Sequence, residues 1–280
     1  MTAFLFSVDI EEPWEGSPAE SGGAGPVADL VERYLDFLRK HGAKATFFVV
    51  GEVARRQPEL VRALTDEGHE IGCHSDQHVP LDLLGRAAFR EDTVRNLEAL
   101  HEAGAGSVQG YRAPSFSLTE RTRWAYEVLA DLGFRYSSSV LPAANPLYGW
   151  RAFGRRPRAV EGGLWEIPVT ILPFPLPPVP FGGGVYFRAL PRWLVRLGLH
   201  AGRGTDQPVV GYFHPYDIDV GQQRVAFPGF SRRSAFNRLM YRNRHRVFDR
   251  LEMVARSGFE FEPFGPYAKS LRTAEAEADG

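Results

Sequence analysis

The run Ala45-Thr46-Phe47-Phe48-Val49-Val50 is apolar except for one threonine. A strand with one wet face alternates apolar and polar residues. A continuous apolar run marks a strand covered on both faces, as in a parallel sheet flanked by helices. Upstream, Phe4 to Ile10 reads as a first strand. Its side chains alternate, so Phe4, Phe6, Val8 and Ile10 share a packing face, while Leu5, Ser7, Asp9 and Glu11 share the other. Between the two runs lies a Gly/Ser/Pro/Glu-rich loop from Glu15 to Gly25. Pro26 then opens a helix to about Lys40, with Leu30, Tyr34, Leu35 and Leu38 on one face.

Downstream the same alternation continues. Helices are predicted over Pro58–Glu67, Arg86–Ala103, Arg121–Leu132 and Leu190–Leu199, with a long one from Ser231 to about Ser257. Strands are predicted over His69–Cys73, Gln109–Arg112, Arg135–Ser139, Trp165–Ile171, Val209–His214 and Phe259–Glu262. About seven β/α units make an α/β fold close to a barrel, where active residues sit at the carboxyl ends of strands. Residues 1–268 are expected to form a single catalytic domain, and 269–280 a disordered acidic tail.

Bulk properties narrow the function. Hydrophobic and charged fractions of 44% and 24% are those of a soluble globular protein. Net charge is −1 and no basic run makes a phosphate track, so no nucleic-acid partner is expected. Cys73 is the only cysteine, which excludes an intrachain disulfide and fits a reducing compartment. Met1 to Ile10 lacks the pattern of a signal peptide, and no stretch approaches the ~20 apolar residues of a spanning helix. The expectation is a cytoplasmic protein. Its apolar, proline-rich segment 170–199 would cover the active-site mouth or touch a membrane surface, the alternative being a loop packed on the barrel's own helices.

Four segments carry chemistry. Asp9 and Glu11 deliver two carboxylates to one strand end, a costly burial unless a cation or donors compensate them. In Gly68-His69-Glu70-Ile71-Gly72-Cys73-His74-Ser75-Asp76-Gln77-His78, one helical turn would place His74 and His78 on the same side. Two imidazoles and one carboxylate leave open positions for water and substrate, as catalytic zinc sites require. Gly110-Tyr111-Arg112-Ala113-Pro114-Ser115-Phe116 forms a rigid turn presenting Arg112 and the Ser115 N–H. An arginine beside a catalytic carboxylate keeps it ionised, and a fixed N–H can bind an oxyanion. His214 ends the strand Val209–Phe213 and faces the same mouth.

Together these segments resemble carbohydrate esterase family 4, the polysaccharide deacetylases with the NodB-homology domain. The resemblance runs from Phe4 to about Phe264 and rests on His74-Ser75-x-x-His78, Arg112-Ala113-Pro114, Tyr212-Phe213-His214-Pro215 and the Ala45-Thr46-Phe47-Phe48 strand. It implies a distorted (β/α)7 barrel of NodB type. The family's usual first motif has adjacent aspartates, whereas Ile10 separates Asp9 and Glu11 here. By resemblance Asp9 is the general base, Glu11, His74 and His78 hold the metal, with Glu12 the other carboxylate in reach, and His214 is the general acid. Arg112 supports the base. Ser115, Phe116, Tyr212 and Trp165 serve oxyanion and substrate.

Leu164-Trp165-Glu166-Ile167-Pro168-Val169, Gly182-Gly183-Gly184-Val185-Tyr186-Phe187-Arg188 and the His214–Asp219 run resemble the deacetylases of exosortase and exopolysaccharide clusters. That makes Glu166 the candidate for tuning His214. The implied activity is metal-dependent removal of N-acetyl groups from an amino-sugar glycan or lipid-linked saccharide. Zinc is the default cation, and iron, manganese, cobalt and nickel fit similar ligands. The competing readings are an amide, imide or formamide hydrolase on a small molecule, and a non-catalytic saccharide-binding module.

Overall fold

A computed structural model describes residues 2–11, 26–145, 147–205, 207–224 and 234–278. The first half runs β1 (Thr2–Ile10), α1 (Pro26–Lys40), β2 (Thr46–Val49), α2 (Gly51–Arg56), α3 (Pro58–Asp66), β3 (Glu70–Cys73), α4 (Arg86–Glu102), β4 (Gly110–Tyr111), α5 (Ala125–Asp131) and β5 (Tyr136–Ser137). The second half runs β6 (Arg158–Ala159), β7 (Trp165–Glu166), α6 (Gly184–Ala189), α7 (Arg192–Arg203), β8 (Val209–Phe213), α8 (Ala235–Leu239), α9 (Val247–Arg256), β9 (Phe259–Glu262) and α10 (Phe264–Ala278).

The strands form one curled sheet in the order β6-β7-β5-β4-β3-β2-β1-β8, with β9 also paired to β1. Every pairing is parallel except β6 with β7. β1 pairs with β2, β8 and β9, and both its faces are buried. Phe4, Phe6, Val8 and Ile10 enter the largest core, shared with Val31, Leu35 and Leu38 of α1 and Leu251 of α9. Leu5 points the other way, into an inner cluster with Phe48, Tyr136, Ile167, Val210 and Phe264. Each such aromatic or Leu side chain contributes about 1.5–3 kcal/mol by leaving water.

The barrel is distorted at the gap between β7 and β8. Thr170 bridges it with a side chain: its Oγ accepts the Val210 N–H at 2.8 Å. Gly182, Gly183 and Gly184 then lie directly on β8. A Cβ on Gly183 would sit 2.1 Å from the Tyr212 carbonyl oxygen, and one on Gly182 would sit 2.2 Å from that of Val210. Neither contact can relax, because both partners are sheet backbone. Gly183→Ala is therefore expected to lose at least ~2 kcal/mol, lowering the thermal midpoint by roughly 4 °C or more. Gly106, with nothing within 4 Å of its Cβ position, provides the control. Equal melting temperatures for the two alanine variants would disprove the close approach.

Two sequence expectations change. The tail expected to be disordered from 269 continues in α10 as far as Ala278. The single helix expected up to Ser257 is instead α8 and α9, broken at Asn243, whose φ is 58°. The cause is Arg188, whose guanidinium takes the Met240 and Arg242 carbonyls at 2.8 and 2.9 Å, while the Asn243 amide returns to the Arg188 carbonyl. The proline-rich segment follows the second of its two readings, packed on the barrel itself, with Leu176 and Val179 against the main core and Phe181 inside it. Glu12, the loop 15–25 and Ser231 lie outside the described residues.

Candidate active site

The carboxyl end of β1 delivers Asp9 and Glu11, both buried, at 2% and 8% exposure. The loop after β3 brings the two histidines, without the helical turn expected from their spacing. Ser75 and His78 instead take left-handed conformations, with φ of 67° and 56°. Ser115 and Phe116, on the loop after β4, do the same at 54° each. Such backbone costs ~1–3 kcal/mol per residue and persists where surrounding structure holds it for a purpose. Four of the described left-handed non-glycine residues thus line one site.

Glu11, His74 and His78 converge so that one ligand atom from each lies within 4.8 Å of the others. His74 Nδ1 donates to the Arg112 carbonyl at 2.8 Å, which leaves Nε2 facing Glu11 Oε2 at 3.5 Å. His78 Nε2 approaches the same oxygen closely. Glu11 Oε2 and His78 Nε2 are both buried and make no regular hydrogen bond. Burial alone would raise the Glu11 carboxyl, but the His78, His74 and His214 rings hold it well below the usual carboxylate range. Two imidazoles and a carboxylate, one imidazole fixed through its far nitrogen, fit a catalytic divalent cation.

Arg112 is fully buried yet fully engaged. Its Nη1 donates to Asp9 Oδ1 and to Ser7 Oγ, each at 2.6 Å. Its Nε donates to the Ser138 carbonyl at 3.0 Å, and the guanidinium lies 4.1 Å from the Phe48 ring centre. Asp9 therefore sits in one orientation, with its other oxygen, Oδ2, 3.8 Å from His214 Nε2.

His214 follows β8 and is half-covered by Tyr216, stacked 4.5 Å away. A short 3₁₀ turn, Pro215–Asp217, returns Asp217 beneath it. Asp217 Oδ2 accepts both the His214 N–H at 3.0 Å and Nδ1–H at 2.9 Å, while Oδ1 takes Arg188 Nε at 2.9 Å. Burial opposes the charged ring, but the hydrogen bond and charge of Asp217 raise the His214 pKa to about 9. Burial likewise opposes ionisation of Asp217, and Arg188 and His214 pull it down to about 2.

Glu166, expected to tune His214, is committed elsewhere. It is fully buried, its Oε1 accepting the Ser139 and Val140 N–H groups at 2.7 and 2.9 Å, and burial raises its carboxyl. Asp217 holds the position next to the ring. Trp165 also departs from expectation: it packs on the inner cluster with Tyr267 and Leu271 near α10. Phe116 and Tyr212 meet at 4.9 Å and form an apolar wall with Leu141, Val169 and Ile171. Ser115 is exposed beside Phe116. Sequence reasoning missed Asp217 and Arg188. An acid three residues after the histidine resembles a capping box and was a readable signal for the first. No local pattern marked the second.

Comparison with known families gives two matches. The family described as "Polysaccharide deacetylase" matches residues 23–137, and "Domain of unknown function (DUF3473)" matches residues 138–269. The first half of the chain thus matches the polysaccharide deacetylase family. The first match contains His74, His78 and Arg112, and the second contains His214, Asp217 and Arg188.

A peptidoglycan-N-acetylglucosamine deacetylase from Bacillus cereus is 32% identical over 37% of the chain and 38% of its own length. The chain spans less than half the length of the curated relatives it matches. A structure from Mycobacterium smegmatis, described as a polysaccharide deacetylase, covers 98% of this chain and 91% of its own, at 22% identity and TM-score 0.66. A family 4 carbohydrate esterase from Streptomyces lividans, solved with acetate, covers 93% and 91% at 18% identity and TM-score 0.50. These likenesses establish the fold, a curled half-barrel of the (β/α)7 NodB type.

Proposed function

We propose that this protein hydrolyses N-acetyl groups of an amino-sugar glycan, with Glu11, His74 and His78 holding a divalent cation, zinc by default. The observation that carries the reading is the convergence of those three donors within 4.8 Å, between the Asp9–Arg112 pair and the His214–Asp217 pair. When bound, the cation supplies Lewis-acid polarisation to water and to the acyl oxygen.

The remaining steps belong to the chain. Asp9 is oriented by Arg112 and takes the proton of the attacking water through Oδ2. The Ser115 N–H is offered to the developing oxyanion. His214 is kept protonated by Asp217 and delivers its Nε2 proton to the departing amine nitrogen. Phe116 and Tyr212 present an apolar wall to the acetyl methyl. An exopolysaccharide or lipid-linked saccharide is the substrate class that fits the resemblance.

The test is acetate release from N-acetylated chitooligosaccharides, with chelator and metal add-back. Release that stops with chelator and returns with metal is expected. A panel of cyclic ureides and formamides runs beside it, and turnover there without acetate release from glycans would transfer the chain to small-molecule amide hydrolysis. His74→Ala should weaken metal affinity at least ~100-fold, read by elemental analysis after dialysis. Stoichiometric metal retained by that variant would remove His74 from the ligand set.

A further inference from the structure

No acidic residue occurs from Ile167 to Thr205, although the whole chain carries 34. That stretch contains Arg188, Arg192, Arg196 and Arg203. Arg188 is consumed inside the protein, and the other three are exposed on α7. The same helix exposes Trp193 at 63% and Leu197 at 41%, one turn apart. Phe174, on the neighbouring proline-rich segment, is 87% exposed. Three of the six large hydrophobics exposed among the described residues thus fall in this acid-free region.

The face continues past α7. Ala201 lies one turn beyond Leu197 and lines a cavity of about 220 Å³ whose inner walls include Ile171, Phe181 and Val210. Arg155 and Arg156, both exposed, also line it. Arg155 is tied to the Leu172 carbonyl at 3.0 Å, which joins its loop to the segment bearing Phe174. An indole and a leucine set among guanidinium groups, with no carboxylate on the helix, is the composition of a helix lying in a bilayer interface. Arginines there are attracted to anionic headgroups.

The helix is also aimed. Gly202, near its end, packs on Val209 at the start of β8, whereas Phe187, just before the helix, packs on Phe213 at the strand's end. The Trp193 end therefore lies toward the mouth that holds His214.

We propose that the outer face of α7, with Phe174 and the Arg155–Arg156 loop, docks on an anionic phospholipid surface. The docked face places the mouth beside the headgroup layer, where a membrane-attached saccharide could enter. This inference does not depend on the reaction catalysed at the site.

The test uses the full chain with phosphatidylcholine vesicles, either pure or containing about one-third phosphatidylglycerol. Cosedimentation is expected with the anionic vesicles, at least ~10-fold stronger than with the neutral ones and reduced by high salt. The double variant R192E/R196E should lose at least ~10-fold in partitioning. W193S should lose about 5-fold or more, while W193F retains most of it. These residues are exposed and outside the site, so acetate release from soluble chitooligosaccharides should be unchanged in each.

Equal binding of the wild type to neutral and anionic vesicles, or full binding by R192E/R196E, would overturn the proposal. Sedimentation velocity covers the remaining occupant. A dimer that W193S converts to monomer, with no preference for anionic vesicles, would assign the face to a second copy of the chain and reject the lipid surface.

Discussion

Asp9→Asn is expected to lower the rate of acetate release by ~100- to 10,000-fold, the range that general-base catalysis supplies. The amide nearly matches the carboxylate in shape, so the backbone of β1 need not move. It keeps an acceptor for Arg112 Nη1, which now bonds Asp9 Oδ1 at 2.6 Å. What disappears is the basic oxygen facing His214, along with the charge that balances a fully buried guanidinium. Leaving the buried Arg112 charge without a counter-charge is itself expensive, up to about 3–5 kcal/mol when one partner of a buried pair is removed. The variant should therefore melt earlier as well as turn over slowly. Metal content separates the two effects, because Glu11, His74 and His78 are untouched. Stoichiometric metal with negligible turnover is the expected combination. Turnover within tenfold of wild type, on a glycan the wild type deacetylates, would mean the water proton goes elsewhere.

The same pair shows how far local pattern reaches. Asp9 and Glu11 were legible because a strand repeats every two residues, so the faces of β1 sort themselves from sequence alone. Arg112 was legible as a candidate because the following Ala113-Pro114 restricts its turn. The histidine pair was found through its spacing, yet the geometry behind it was misread. Left-handed Ser75 and His78 curl the loop, and no helical turn is involved. Glu166 went wrong for a more general reason. A buried acid in a strand can serve a reacting group or merely satisfy backbone donors, and sequence does not separate the two. Here the neighbouring N–H groups of Ser139 and Val140 claim it. Arg188 lay beyond local reading because its partners come from residues 217 and 239–242, joined only by the tertiary fold. The two-residue strands β4, β5 and β7 were read too long, since side-chain pattern does not reveal where a ladder stops.

Asp217→Asn should produce the second large effect, and one that depends on pH. His214 acts as an acid only while protonated, so the rate falls as pH rises through its pKa. In the native protein that pKa stands at about 9, because the hydrogen bond and charge of Asp217 outweigh burial. Asparagine keeps an oxygen for the ring N–H but removes the charge, and burial then pulls the pKa down. The alkaline limb is expected to move at least ~1 pH unit toward acid, and turnover at pH 8 to drop roughly 100-fold. Stability follows the same sign. A histidine whose folded pKa is raised stabilises the protein fully below its unfolded value near 6.5, and that contribution fades as pH climbs toward 9. The variant should accordingly lose most thermal stability below neutral pH, where the native ion pair is complete. Arg188 would lose the Asp217 carboxylate, adding a pH-independent loss. Titrating the imidazole by NMR in both proteins, beside the rate profiles, decides the matter. An unmoved alkaline limb with a shifted imidazole would show that the leaving amine takes its proton from another group.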